Sequence, residues 1–311
     1  MTVDSHFLAE LRRAATVRLA EPMSGHTTFG IGGPADAYAV AESEEQLHAL
    51  ADIARRYAVP FFILGSGSNV LVGDSGIRGL VIENRSGRVD QPIRQGNGSL
   101  LVRAQSGTSL AGLARRLSPT GLAGLEWACG IPGSLGGAVI YNAGAYGGCL
   151  ADCLRSVRIA NSGTEVAELA ASELALGYRG SAFTRGVLQG KIILSVDLIL
   201  HEGDAQVLAT RIAELDARRQ AAQPRERNAG SVFKNTPEHP AWWLIDQVGL
   251  RGHRIGDAQV SPKHTNFIVN RGHARASDVK ALMTLAQERV EERFGLRLEP
   301  EVTLVGEELD G

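Results

Sequence analysis

The spacing of apolar residues changes character along the chain and divides it into three stretches. Residues 1–80 mix helical and extended periods. Phe7 to Leu19 is spaced as a short amphipathic helix that Pro22 breaks. Ala37 to Ala41 is strand-like, and Ser43-Glu44-Glu45-Gln46 is a capping box ahead of Leu47, Leu50, Ala51, Ala54 and Tyr57, which recur on one helical face. Pro60 ends that helix and Phe61 to Leu64 follows as a short buried strand, so Ala37 to Leu64 reads as a βαβ unit. Residues 81–202 read mostly as short strands, from one at Leu80 to Glu83 through Leu100 to Ala104 and Val157 to Ala160 to Ile192 to Leu200. Gly96-Asn97-Gly98 and Asn161-Ser162-Gly163 supply turns there, and Thr108 to Leu117 a helix. From residue 203 the helical period returns in Ala205 to Arg219, Ala241 to Val248 and Ser277 to Phe294, with strands at Asn266 to Asn270 and Glu301 to Val305. The pattern predicts an α+β chain of three units, 1–80, 81–202 and 203–311, with a ligand between the first two.

Two glycine-rich loops interrupt this periodicity. Gly121 to Gly148 reads GLAGLEWACGIPGSLGGAVIYNAGAYGG and holds a dense share of the 37 glycines, yet Trp127, Ile131, Leu135, Val139, Ile140 and Tyr141 run through it, which a disordered linker would not carry. Glycines at 130, 133, 136, 137, 144, 147 and 148 imply tight turns or close approach of backbone to a ligand, and the free N–H groups of such turns form anion-binding concavities. Turns and close packing at a domain junction are the alternative. The second loop, Gly65-Ser66-Gly67-Ser68-Asn69-Val70, runs directly out of a strand and leaves many N–H and hydroxyl donors free, a setting for a pyrophosphate or simply a tight turn. Gly30, Gly32 and Ala35, like Gly65, Gly67 and Val70, match the spacing of a dinucleotide-binding fingerprint, but neither set is followed by a helix, and neither loop ends in Gly-Lys-Ser/Thr.

Composition narrows the classes. A chain of 311 residues is long enough for two or three cores, and 44% hydrophobic with 21% charged residues is ordinary for a soluble protein. A net charge of −2 gives no electrostatic reason to expect a nucleic-acid partner. No apolar run approaches a membrane span, and charges interrupt Met1 to Arg18. Three cysteines, Cys129, Cys149 and Cys153, suit a reducing compartment, so a cytoplasmic location is expected. No metal constellation emerges from the His and Asp spacing, and a monomer is compatible with all of these features.

Four segments together resemble one family: TTFGIGGPA near Thr27, ILGSGSNVLV from Ile63, GLEWACGIPGSLGGAVIYNAGAYGG, and NAGSVFKN from Asn228. GYRGSAF from Gly177, KHTNFIVN from Lys263 and LEPEVTLVG near the end extend the likeness over nearly the whole chain. The chain is similar to the UDP-N-acetylenolpyruvoylglucosamine reductases, of their shorter second type. The resemblance implies the two-subdomain FAD-binding fold shared with vanillyl-alcohol-type oxidases plus a C-terminal α+β substrate-binding domain. It implies bound FAD, NADPH as co-substrate, and reduction of an enolpyruvyl nucleotide sugar in peptidoglycan precursor synthesis. On this likeness Gly65, Ser66, Gly67, Ser68 and Asn69 hold the FAD pyrophosphate, while Gly130, Ile131, Pro132, Ser134, Gly136, Gly137, Asn142, Gly144 and Ala145 line the pyrophosphate and isoalloxazine. A flavin-dependent oxidase on the same fold is the alternative that the glycine loops alone would allow.

Three residues match the family's catalytic positions. Arg179 in GYRGSAF would bind the substrate carboxylate and developing enolate through its fork of donors, Ser231 in NAGSVFKN would protonate the carbon beside that carboxylate, and Glu301 in LEPEVTLVG would polarise the intermediate or assist proton delivery. Taken alone, Arg179 reads as a surface ion pair and Ser231 as a turn residue after Gly230. Tyr178 and Asn235 are expected to contact substrate; His264 is expected to be structural, and Trp242 and Trp243 to lie in the core. Ala222 stands where the family often carries a diphosphate-binding lysine, with Arg218 and Arg219 nearby, and Thr236 lengthens the loop after Asn235.

Overall fold

The computed structural model describes residues 4–161 and 165–306. Five strands come first: β1 (Val17–Pro22), β2 (Pro34–Ala41), β3 (Phe61–Leu64), β4 (Val70–Val72) and β5 (Ile77–Asn84). Four of them form a sheet in the order β1-β2-β5-β3. β2 and β3 both run parallel to β5, which lies between them, so the expected βαβ crossover skips one strand. The crossover helix α2 (Glu44–Arg56) starts as predicted, with Ser43 Oγ accepting from Gln46 N at 3.2 Å. Gln46 Oε1 reciprocates to the amide of Glu42, one residue ahead of the cap. The helix stops before Pro60 is reached, where Ala58 takes φ 52°.

The N-terminal helix is shorter than its apolar spacing predicts. Capped by Asp4, α1 (Ser5–Ala14) gives way to β1, which pairs antiparallel with β2 from Val17 opposite Ala39. Leu19, read as part of the helical stripe, lies on the open side of this edge strand, 46% exposed. Pairing with a neighbouring strand has overridden local periodicity there. In β2, Ala37, Ala39 and Ala41 pack with Phe7 and Leu11 of α1 and Leu47, Leu50 and Ala54 of α2. Tyr38 faces the other way, with Met23, Leu64 and Val72.

The second unit has β6 (Ile93–Arg94), β7 (Leu100–Gln105), β8 (Leu122–Ala123), β9 (Gly144–Ala145), β10 (Gly148–Cys149), β11 (Leu154–Ala160), β12 (Val166–Ala170) and β13 (Ile192–Glu202). Its main sheet runs β12-β11-β13-β7-β6, antiparallel throughout. The Ser162-Gly163 turn lies outside the described residues. Helices α3 (Leu110–Leu117) and α4 (Leu135–Ile140) cover the sheet, joined by Leu215 of α5 (Ala205–Ala222). Ala160, Ile192 and Leu194 extend from this sheet into the core under α1 and α2. The first two units therefore share apolar contacts.

The last unit contains α6 (Ala241–Gln247), the meander β14 (Arg254–Ile255), β15 (Ala258–Val260) and β16 (Ile268–Asn270), then α7 (Ala276–Phe294). Periodicity found only the third of these strands, because the first two are too short to show an alternation. The final strand, β17 (Thr303–Val305), leaves this unit and pairs parallel with β4. Phe29, Ile31 and Leu71 reciprocate by entering the C-terminal core.

A polar contact reinforces that junction. Asp74, from the loop after β4, accepts from Ala276 N at 2.8 Å and Ser277 N at 3.1 Å and so caps α7 from outside the helix. Burial pushes the Asp74 carboxyl up, but the two amides and Arg275 outweigh it and hold the pKa below its ordinary 3.8. A lowered folded value stabilises the fold above the ordinary pKa, and the gain disappears as pH falls through the folded one. Asp74→Ala is expected to lower stability at neutral pH by about 1 kcal/mol. In urea melts the difference from wild type should shrink at a pH well below 3.8.

Candidate active site

The two glycine loops meet across a cavity of about 370 Å³. The Gly65 to Asn69 loop leaves the C-terminal end of β3, and the 131–145 segment faces it around α4. Ser68 Oγ donates to Pro132 O at 3.0 Å. A Cβ on Gly65 would lie 2.3 Å from Ser134 Oγ, and one on Gly67, at φ 62°, would lie 2.1 Å from His26 O. At Gly67 glycine is needed because backbone approaches too closely for any side chain, whereas at Gly65 the space is taken by the Ser134 side chain. Ser134 Oγ also accepts from Gly137 N at 3.3 Å and starts α4, a helix the glycine-rich sequence conceals.

Gly65, Ser66, Gly67, Ser68, Asn69, Ile131, Pro132, Ser134, Gly136, Gly137, Gly144 and Ala145 all line this cavity. Gly130 and Asn142 are not part of its lining. Gly130 is covered by Arg219, whose Cδ would lie 2.6 Å from a Cβ there. Asn142 is buried, with Nδ2 donating to Gly177 O at 3.0 Å and Oδ1 accepting from Ala151 N at 3.0 Å. Asn69 does more than line the wall: its Nδ2 donates to Glu301 O at 3.0 Å, and its carbonyl accepts from Thr303 N at 3.0 Å.

Arg179, Ser231 and Glu301, far apart in sequence, line the same cavity. Arg179 occupies a tight turn with φ 50°, and its Nε is 2.6 Å from Glu301 Oε1, out of line for a hydrogen bond. Burial pushes the Glu301 carboxyl above its ordinary value, and the Arg179 and Lys234 charges only partly offset that. Ser231 follows Gly230, whose φ is 79°. Its loop is clamped by buried Asn266, which accepts from Phe233 N at 3.0 Å and donates to Phe233 O at 2.8 Å. Glu301 N donates to Val232 O at 2.8 Å, so the segment bearing the glutamate lies against the serine loop. Glu299, two residues earlier, instead pairs with Lys234 and is 68% exposed in its side chain.

Tyr178 and Asn235 come together at the surface, with Asn235 N donating to Tyr178 Oη at 3.3 Å and Asn235 Oδ1 accepting the first amide of α6 from Ala241. His264 lies against Phe267, its buried Nδ1 unpartnered among the described residues, and burial holds its pKa low. Trp243 packs between His239 and Phe294, but Trp242 is 42% exposed and so corrects the expectation that both tryptophans are core. Thr236 N donates to His239 O at 3.1 Å and forms the turn before α6. Ala222 is exposed at the end of α5, where the Lys263 ammonium donates to Gln220 O at 2.6 Å and Gln223 O at 2.8 Å.

Sequence reasoning missed several cavity residues. Arg219, half-buried and with its pKa lowered by burial, lines the wall, as do Tyr141, Lys191, Thr303 and the hydrogen-bonded pair Asn84 and Ser106. Thr303 sits two residues beyond Glu301 and could have been found from strand alternation. Arg219 offered no such signal, because its helix has charged residues on several faces.

This lining suits a flavin dinucleotide. Ile63, Ile131, Ile140, Ile192 and Ile193 supply apolar walls for aromatic rings, glycine amides and Ser66 and Ser68 supply donors for a pyrophosphate, and Arg219 supplies positive charge. Residues 35–170 match the model of the FAD binding domain, which makes the chain a FAD-binding protein with a further C-terminal unit. Residues 223–305 match the model of the UDP-N-acetylenolpyruvoylglucosamine reductase C-terminal domain. Reductases of that name are similar over almost their whole length: the one from Alkaliphilus oremlandii is 43% identical over 293 residues, 94% of each chain. That from Lachnoclostridium phytofermentans is 39% identical over 291 residues, 93% of each. The crystal structure of UDP-N-acetylenolpyruvylglucosamine reductase from Thermus caldophilus superposes with a TM-score of 0.76 at 36% identity, covering 94% of this chain and 99% of that one. The chain belongs to the UDP-N-acetylenolpyruvoylglucosamine reductase family.

Gly67→Ala tests the cradle. Its left-handed backbone and the contact with His26 O leave no room, so the substitution should cost about 1–3 kcal/mol of local strain and lower the FAD content of purified protein. A variant that keeps full flavin content and melting temperature would contradict the close packing of this loop.

Proposed function

We propose that this protein reduces the enolpyruvyl ether of UDP-N-acetylglucosamine enolpyruvate to UDP-N-acetylmuramate with NADPH, in the cytoplasm, as a step of peptidoglycan precursor synthesis. The observation that carries this reading is the convergence of Arg179, Ser231 and Glu301 on one cavity whose other walls are the two glycine loops. A flavin oxidase would need no proton donor to a substrate carbanion. We assign residues 1–80 and 81–202 to the FAD-binding subdomains and 203–311 to the substrate domain, with Tyr178 and Asn235 at the substrate's outer end.

Bound FAD supplies the redox relay between NADPH and the vinyl group. The protein's own residues handle charge and protons. Delivery of a hydride to the terminal vinyl carbon places carbanion character beside the carboxylate. The Arg179 guanidinium binds that carboxylate through its fork of donors, which stabilises the enolate as it forms. Ser231 protonates the adjacent carbon from the loop held by Asn266. Serine is a weak acid, so its alkoxide must be re-protonated, and Glu301, on the neighbouring segment and with its carboxyl pushed up by burial, returns the proton.

Substrate and Glu301 compete for Arg179. Once the substrate carboxylate takes the guanidinium, the buried Glu301 carboxyl loses its cationic partner and gains a like charge, so its pKa rises further. Binding should therefore take up a proton and tighten as pH falls towards the glutamate's raised value. Calorimetric titration in buffers of different ionisation enthalpy should register this uptake in wild type and none in Glu301→Gln. A second test separates the half-reactions. Ser231→Ala should leave flavin bleaching by NADPH nearly unchanged and slow reoxidation by the enolpyruvyl substrate by a factor on the order of 100 or more; equal losses in both steps would remove Ser231 from the proton-donor role.

A further inference from the structure

The C-terminal end of α4 holds more than the cavity wall. Ile140, Tyr141 and Asn142 are consecutive, and each is bonded to a segment that carries a reacting side chain. Asn142 Nδ2 donates to Gly177 O at 3.0 Å, and Ser181 Oγ donates to Ile140 O at 2.7 Å. These two bonds grip the turn around Arg179 from both ends. The turn also closes on itself, with Gly177 N donating to Gly180 O at 3.0 Å and Gly180 N to Gly177 O at 3.3 Å. Between the two grips, Tyr141 Oη and Thr303 Oγ1 are 2.5 Å apart and tie the same three residues to β17, two positions beyond Glu301.

Asparagine at 142 fits this task. Its φ of 41° is the left-handed conformation in which helices commonly end, usually on glycine. Asparagine tolerates that backbone and adds a short amide that glycine lacks. Both ends of the amide are engaged by backbone, Gly177 O on one side and Ala151 N on the other, within a residue only 7% exposed. Arg179 itself has φ 50°, a conformation that persists in a non-glycine residue only where the surroundings enforce it. The bonds from Asn142 and Ser181 supply that enforcement.

We propose that Asn142 and Ser181 are positioning residues for Arg179, fixing its guanidinium relative to the helix that walls the flavin cavity. They act on the step that uses the enolpyruvyl substrate and not on cofactor retention. This rests on the role given to Arg179 above.

Two variants test it from opposite sides of the turn. Asn142→Asp keeps a side chain that tolerates the left-handed backbone and accepts from Ala151 N, but replaces the donor facing Gly177 O by a carboxylate oxygen. Ser181→Ala removes the other grip and introduces no charge, so it remains informative if the buried aspartate impairs folding. Each should retain FAD and be bleached by NADPH within about two-fold of wild type, while anaerobic reoxidation by the enolpyruvyl substrate slows on the order of 10- to 100-fold. Flavin loss, or equal slowing of both half-reactions in both variants, would overturn the proposal. Arg179→Ala measured beside them separates the two levels of the argument. If it alone slows reoxidation, the positioning role fails and the role of Arg179 stands; if it reoxidises normally, both fail.

Discussion

The site depends on the return of the last described strand to the first unit. β17 pairs parallel with β4, and Asn69, the residue just ahead of β4, accepts from Thr303 N through its carbonyl and donates to Glu301 O through its side chain. One residue thus belongs to the Gly65 to Asn69 loop and also holds the segment that carries Glu301. The contact spans 232 positions in sequence, a non-local pairing of the kind that is slow to form. Asp74 capping α7 and Asn270 Nδ2 bonding Phe29 O at 3.0 Å reinforce the same junction. These bonds tie the cavity wall to the segment that carries Glu301.

Within that frame, electrostatics explain why the arginine and glutamate occur as a pair. A carboxylate as buried as Glu301 is costly without a partner, and Arg179 is the nearest cation. Their contact is close but poorly aligned, so it balances charge without saturating the guanidinium. In the proposed reaction, an arriving substrate carboxylate would have to displace only this one imperfect partner. Lys234, two positions before the turn at Thr236, pairs directly with Glu299 and acts on the inner carboxyl only through its charge, which leaves the close contact to Arg179.

The elements with long, unbroken periods were legible in the sequence. Residue spacing alone placed α2, α3 and α7, because each has one face that must be buried, and β13, whose near-continuous apolar run is buried on both faces. Local signals failed where a distant partner decided the outcome. Leu19 follows the helical stripe but pairs as a strand, and α4 forms in a glycine-rich stretch because Ser134 caps it and the cavity wall supports it. For the site, the glycine loops could be read from the chemistry of their residues, whereas Arg179, Ser231 and Glu301 became visible only through the likeness to a family. An arginine between a tyrosine and a glycine, or a serine after a glycine, carries no catalytic signature of its own. Asn142 shows the limit in another way: motif matching set it beside the cofactor, while its geometry ties it to the turn of Arg179.

The most direct test of the central claim is anaerobic. The purified protein should carry FAD that bleaches with NADPH, and its colour should return rapidly when UDP-N-acetylglucosamine enolpyruvate is added in the absence of oxygen. Flavin that bleaches but is reoxidised only by air would contradict the reductase account, and protein without flavin would contradict the role assigned to the two glycine loops.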